Sequence, residues 1–518
     1  MTAKKFWGWF LLAWAIAGIP IFILHGVPGV DTPNHVARLH VLASLQEGPA
    51  LSSFYKTHWA ILPNLAVDLF ITPIVYFFNT NALWLMKIFL FNSIGVTGAG
   101  FAITNRAISQ KWSFWGLFGL LFSYSYVLGF GFINYLFGIG LSLLFVGVQL
   151  MLKEKPKLRL LVVAFSFPIL LLNHLLALVL GALALIIIAI HQRDKCKQLW
   201  TGFVIGSVLS LIYMKLAATA GIRASHMFYD PMPEHLRNVF FPLYFSNLFR
   251  DLTFWLVIVG VVAWLIWKGQ ARQQENRGSL PEGGDVERAL PRQRGLIQSF
   301  RQTSLPLIMI VVFTLVGLAL PHMAMTSAFI SARISIWAIL IAGAMVQEVT
   351  IAPGLIFSLL FIRSADISQR FLSWNPTFDQ LRSDLQVVEN GSLLYQMTSL
   401  RSQPLEPVGW NPSIIHANCL VLLERNCYVN NLFSLPYQQP LQNSPEIKVD
   451  MRDLYNHGRE WEIKSNRQWI VWQLGLMSPR LRERPVYIFF VKSEKERANP
   501  YVGELIVERP RYAIYKFR

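Results

Sequence analysis

Asp31, His35, Arg38 and His40 fall within ten residues of one another in the stretch Gly29-Val30-Asp31-Thr32-Pro33-Asn34-His35-Val36-Ala37-Arg38-Leu39-His40, just beyond the first long apolar segment. Ionisable groups beside hydrocarbon are costly and are kept where they face a cavity, a partner or a substrate. A carboxylate there can take a proton from a hydroxyl, an imidazole can give or take one, and a guanidinium fork matches the oxygens of a phosphate. The same residues also have a purely structural reading. Asp31 ahead of Thr32-Pro33 suits a helix N-cap, and an ion pair of Asp31 with His35 or Arg38 needs no substrate. The sequence leaves both readings open.

Further polar residues stand where apolar runs end: Asn134 and Tyr135, Asn173 and His174, Arg223, His226 and Asp230, and His322 and Arg333. If the runs form one bundle, these groups face a common cavity, and a face rich in His and Arg but poor in acids points to an anionic ligand such as a phosphate. His35, Arg38, Asn134, His174, His322 and Arg333 are therefore the candidate binding residues, with Asp31 as the candidate base. His174 also reads as a turn residue and Arg333 as a cation snorkelling to the interface. Asp31 with His35 supplies two ligands for a divalent metal, too few to assign a site. Phosphate-loop, dinucleotide-fold, zinc-protease and nucleophile-elbow motifs are all missing.

These residues must be positioned by membrane helices. The chain has 518 residues, 54% of them hydrophobic and 14% charged, with a mean hydropathy of +0.42. Apolar runs long enough to span a bilayer, about 20 residues each, recur up to about residue 363. The net charge of +17 gathers at the ends of these runs, at Lys4-Lys5, Arg106 and Lys111, 153–159, 193–197 and 268–301. That is the pattern of cytoplasmic loops, and it argues against a nucleic-acid partner. Charge alternation then predicts about eleven spans with a cytoplasmic N-terminus, including 113–127 and 351–364, and outer juxtamembrane helices at about 33–79. Residues 1–366 form a polytopic α-helical membrane domain, and 367–518 a soluble α/β domain outside the cytoplasm. Expected strands are 392–396, 419–423, 469–473, 486–491 and 512–517, with a helix at 376–388. Cys419 and Cys427 would form a disulfide if adjacent strands brought them together, and would otherwise be free thiols.

The layout resembles the GT-C superfamily of integral-membrane glycosyltransferases: a first helix, an outer loop with an acidic residue, juxtamembrane helices, further spans and a soluble outer domain. The resemblance rests on Val30-Asp31-Thr32-Pro33-Asn34-His35 and on the spans from Ser123 to Leu152 and Leu158 to Leu175. It implies transfer of a sugar from a polyprenyl-phosphate carrier to a glycan, lipid or protein acceptor, in a bacterial plasma membrane and on its periplasmic face. Asp31 would be the general base, with Arg333 and His174 on the departing lipid phosphate. The family often carries a second acid in the next outer loop; here that loop reads Gly129-Phe130-Gly131-Phe132-Ile133-Asn134-Tyr135 and has none. No cofactor beyond the lipid-linked donor is assigned, and a divalent metal has no support in the motif. An O-antigen ligase or polymerase type of enzyme and a non-enzymatic transporter or scaffold subunit stand as alternatives.

Overall fold

The computed structural model describes residues 1–45, 49–59, 62–218, 232–241, 243–245, 247–278, 289–321, 330–347, 349, 351–398, 414–434, 439–447, 470–492, 494, 496–497 and 503–517, with side chains left out at 49–50, 234, 266–278 and 289–303. From the N-terminus, α1 (Ala3–Ile23) is followed by α2 (Thr32–Ser44), a one-turn α3 (Pro49–Ser52), the strand β1 (Tyr55–Thr57) and α4 (Ala66–Phe78). Then come α5 (Ala82–Ser109), a 3-10 segment (Phe114–Phe122), the short α6 (Tyr126–Phe130), α7 (Ile133–Met151), α8 (Pro156–Asn173) and α9 (Leu175–His191). The helical part closes with α10 (Lys197–Ala218), α11 (Met232–Phe240), α12 (Leu248–Gly278), α13 (Ala289–Ala319), α14 (Ile330–Met345) and α15 (Pro353–Leu385).

Among the described residues, six helices are long and apolar enough to cross a membrane (α1, α5, α7, α8, α10 and α12), and five shorter apolar segments accompany them. Their outer faces keep large apolar side chains exposed at helical spacing: Leu158, Leu161, Phe165 and Ile169 on α8, and Val204, Val208 and Leu211 on α10. A belt of this kind belongs against lipid. The run expected to cross at 113–127 takes another form. It is a nine-residue 3-10 segment continued by α6, together an apolar stretch from Phe114 to Phe130 that is shorter than the six long helices. Trp115, Leu117, Leu120 and Leu121 are buried, so this segment fills the bundle and does not line it.

The soluble part is built on a five-stranded sheet of order β3-β2-β5-β7-β6, from β2 (Leu393–Thr398), β3 (Tyr428–Val429), β5 (Val486–Val491), β6 (Glu504–Glu508) and β7 (Tyr512–Lys516). β2 runs parallel to β3 and β5, whereas β7 is antiparallel to β5 and β6. Every residue of β5 is buried, as befits a central strand covered on both faces. Two expected strands prove helical. Residues 417–423 form a 3-10 helix and residues 470–475 an α-helix, because a short apolar run carries no periodicity that separates the two forms. Edge strand β6, with its exposed Leu505 and Ile506, has no alternation to betray it. Cys419 and Cys427 are free and buried, so the disulfide is not made.

Two features join the parts at the end of the bundle where α1 finishes. α15 is one helix of 33 residues, about 50 Å long, running unbroken past residue 366. Its Phe371, Trp374 and Phe378 pack into the helical core, and Leu381 and Leu385 into the core of the sheet domain. Asn375 of α15 ties down the end of α1: its Oδ1 accepts the His25 N–H at 2.7 Å and its Nδ2 donates to the Ile23 carbonyl at 3.0 Å. The second feature is α2, which lies between the two cores. Val36, Leu39 and Ala43 face the bundle, whereas Ala37, Val41 and Leu42 face the sheet domain. β1 then pairs antiparallel with β4 (Leu441–Asn443) of that domain.

Candidate active site

Asp31 enters the site through the backbone around it. Its N–H donates to the Phe130 carbonyl at 3.0 Å, and the Val30 N–H donates to Gly129 at 3.1 Å, so the approach to α2 lies along the loop before α7. This contact demands glycine on both sides. Gly29 and Gly131 sit at φ of +100° and +81°, and a Cβ on Gly131 would come within 2.9 Å of the Asp31 nitrogen. Asp31 occupies the N-cap position of α2, yet its backbone is helical (φ −85°, ψ −14°) and its side chain makes no capping hydrogen bond. Pro33 starts the helix without it. The carboxylate, 23% exposed, is therefore free for other work. Burial pushes its pKa up to about 7, against the pull of the Arg333 guanidinium. A carboxyl poised there suits proton transfer at neutral pH.

Arg333 comes from the first turn of α14 and is buried. Its guanidinium carbon lies 3.7 Å from the centre of the Phe132 ring. The Tyr135 hydroxyl donates to the Arg333 carbonyl at 2.6 Å and fixes the backbone there. Among the described residues no carboxylate lies within 4.0 Å of it, and its Nε has no partner. Its Nη1 instead meets Nε2 of His174 at 3.0 Å. His174 caps α9 by accepting the Leu176 N–H on Nδ1 at 3.1 Å, which places the ring hydrogen of neutral imidazole on Nε2. In this tautomer both nitrogens are donors facing each other at 3.0 Å, an opposition that an anionic oxygen beside them would relieve.

Val30, Ala332 and Ile415, each adjacent in sequence to a site residue, belong to one small apolar cluster with Tyr126, Phe130 and Tyr244. This cluster brings Asp31, Arg333 and a third residue, His416, to one place. His416 belongs to the sheet domain and stands 3.6 Å from an Asp31 oxygen through Nε2. Burial lowers its pKa to about 4, so the ring is neutral at pH 7. Nothing in its spacing from the other candidates marks it in the sequence. The faint signal is compositional: His416 and Asn418 interrupt an apolar run from Ile414 to Leu423.

The remaining candidates divide. His35 lies one turn on from Asp31, its ring edge-on to Phe433 at 5.3 Å, and burial together with Arg38 and His416 holds it well below the usual histidine range. Arg38 is not gathered into the site. Its Nε and Nη2 donate to Asp68 of α4 at 2.9 Å each, and both side chains are fully buried. Asn134 is likewise engaged elsewhere: it accepts the Val67 N–H at 3.1 Å and donates to the Asn64 carbonyl at 2.7 Å, holding the start of α4. His322 lies outside the described residues, as do Arg223, His226 and Asp230. No group of three or more His, Cys, Asp or Glu side chains that could hold a metal occurs among the described residues. A cavity of about 530 Å³ lined by Leu42, Thr57, Trp59, Tyr76 and Phe77 opens at the far end of α2 and does not include Asp31.

No family model matches the chain, and no curated protein matches it in sequence. Among solved structures, the chain is similar to the crystal structure of ArnT from Cupriavidus metallidurans bound to undecaprenyl phosphate, at 9% identity and a TM-score of 0.43, over 99% of this chain and 98% of that one. The likeness is loose. The functional reading rests on the side chains around Asp31.

Proposed function

We propose that this protein is a membrane glycosyltransferase of the GT-C type, moving a sugar from a polyprenyl-phosphate carrier to an acceptor hydroxyl on the outer face of the membrane. The observation that supports it most is the meeting of an uncapped carboxylate with a buried guanidinium that has no carboxylate partner among the described residues. In this reading Asp31 takes the proton of the acceptor hydroxyl. The acceptor oxygen then bonds to the anomeric carbon with inversion, and the bond from that carbon to the carrier phosphate breaks. The phosphate leaves with the bonding electron pair, and its growing charge is met by Arg333 and by the Nε2 hydrogen of His174. The exposed apolar belt would admit the polyprenyl tail from the side. By the charge asymmetry of the loops, the N-terminus is cytoplasmic and the sheet domain lies outside.

The test is transfer by the purified protein in lipid nanodiscs from a panel of polyprenyl-phosphate sugars. Wild type should transfer at least one of them. Asp31→Asn should fall by about 10²–10⁴-fold in turnover at an unchanged melting temperature, the range a general base supplies. Wild-type turnover in that variant would remove Asp31 from the mechanism.

A further inference from the structure

The sheet domain does more than lie beside the helical bundle. Asn34, three residues beyond Asp31, reaches into it with both ends of its amide. Its Oδ1 accepts the Phe433 N–H at 2.7 Å, and its Nδ2 donates to the Asn431 carbonyl. Both partners are backbone groups, so the orientation of this amide is fixed without reference to any other side chain. Nδ2 of Asn34 then also points at Nδ1 of His416, 3.2 Å away. Nδ2 of Asn431 approaches the same nitrogen at 3.0 Å, and Asn431 is held by a reciprocal amide pair with Asn418, at 2.9 and 3.2 Å. Nδ1 has one lone pair, and the Asn34 amide, whose orientation its backbone partners fix, makes it an acceptor, while Asn431 Nδ2 shares its two hydrogens among Nδ1, Gln396 Oε1 and Asn418 Oδ1. A neutral imidazole then carries its hydrogen on Nε2, and Nε2 is the atom that faces Asp31.

The backbone of His416 agrees with a built position. It lies at φ +63°, in the left-handed region that few non-glycine residues adopt, and its N–H donates to Gln396 Oε1 at 3.3 Å. Strain of this kind persists where the surroundings over-determine it, as here, where the Phe433 ring also packs on the imidazole at 5.5 Å.

We infer that His416 is a positioning residue for Asp31: its Nε2–H, 3.6 Å from the carboxylate in this structure, closes on it as a hydrogen-bond donor, orienting the carboxylate and favouring its ionised form. The part this plays in sugar transfer rests on the proposed function; the contact itself does not. The charged and titratable groups that face the pair are Arg333 from α14, and His35 followed by Arg38 on α2. Among these Arg333 also favours the ionised carboxylate.

The test reads the protonation of Asp31 directly, by difference infrared spectroscopy of the full-length protein in nanodiscs during a pH titration. The Asp31 carboxyl band is assigned by its loss in Asp31→Asn. His416→Asn tolerates the left-handed backbone but is too short to reach Asp31, and His416→Met reaches it without a donor. Both should raise the midpoint from about 7 by about one pH unit. His416→Gln, whose amide can stand in for Nε2–H, should return it most of the way. An unmoved midpoint in whichever non-donating variant keeps the wild-type melting temperature overturns the inference. In the transfer assay the acid limb of the rate profile should move upward by the same amount. A shifted infrared midpoint without any transfer would sink the glycosyltransferase reading and leave this inference standing.

Discussion

Removing Arg38 tests whether its charge serves the fold or a substrate. Its guanidinium makes two 2.9 Å hydrogen bonds to Asp68, and both side chains are 0% exposed. Truncating one member of such a pair strands the other charge in a dry interior, at a cost of about 3–5 kcal/mol, whereas replacing both with apolar side chains is often neutral or better. Against a total stability on the order of 5–15 kcal/mol, the single loss is severe. Arg38→Met and Asp68→Leu should each lower stability by about 3–5 kcal/mol, more than about a hundredfold in the folding equilibrium. The double variant should recover most of that loss, the more so because Arg38 Nη1 has no partner even in the native pair. The assay is denaturant unfolding of the four proteins in mixed micelles, read as a double-mutant cycle, with donor KM measured on the folded fraction. A variant Arg38→Met that melts like wild type but raises donor KM tenfold would refute the structural assignment and return Arg38 to the site.

Arg333→Ala should raise donor KM by about 10- to 100-fold, the worth of hydrogen bonds to a charged group, and leave acceptor KM near its wild-type value. Arg333→Lys should recover only part, since it keeps the charge but loses the fork and the flat contact with Phe132; equal changes in both KM values would contradict a phosphate role. Cys419 and Cys427 are free, and burial pushes both thiols upward in pKa. Reductant should therefore leave the melting temperature unchanged, and both thiols should label with maleimide only after unfolding. A mobility shift on reduction would show a bond between them.

The helical part was legible because lipid imposes long apolar runs with charges at their ends, as at Lys4-Lys5 and 153–159. The 3-10 form of 114–122 was not, since an apolar run carries nothing that separates a 3-10 turn from an α-helix. Asp31 stood out in sequence for its surroundings, but whether it capped α2 turned on a backbone torsion that no pattern encodes. Arg38 and Asn134 looked like site residues because they share a neighbourhood with Asp31 and Tyr135. Their partners, Asp68 and Val67 on α4 and Asn64 just before it, are placed by packing that only the folded chain decides. His416 was hidden for the opposite reason: its contact with Asp31 joins residues almost four hundred positions apart.

The pairing of β1 with β4 sets an order of events during synthesis. Tyr55 leaves the ribosome early, but its partner Asn443 follows about 390 residues later. At roughly 5–20 residues per second, the segment between α2 and α4 waits on the order of 20–80 s with its strand edge unpaired. Through that interval α2 lacks the core that Ala37, Val41 and Leu42 are to join, and Asp31 lacks His416. A nascent chain already threaded into the bilayer is therefore without its finished acid–imidazole pair, and the last quarter of translation is when the protein acquires it.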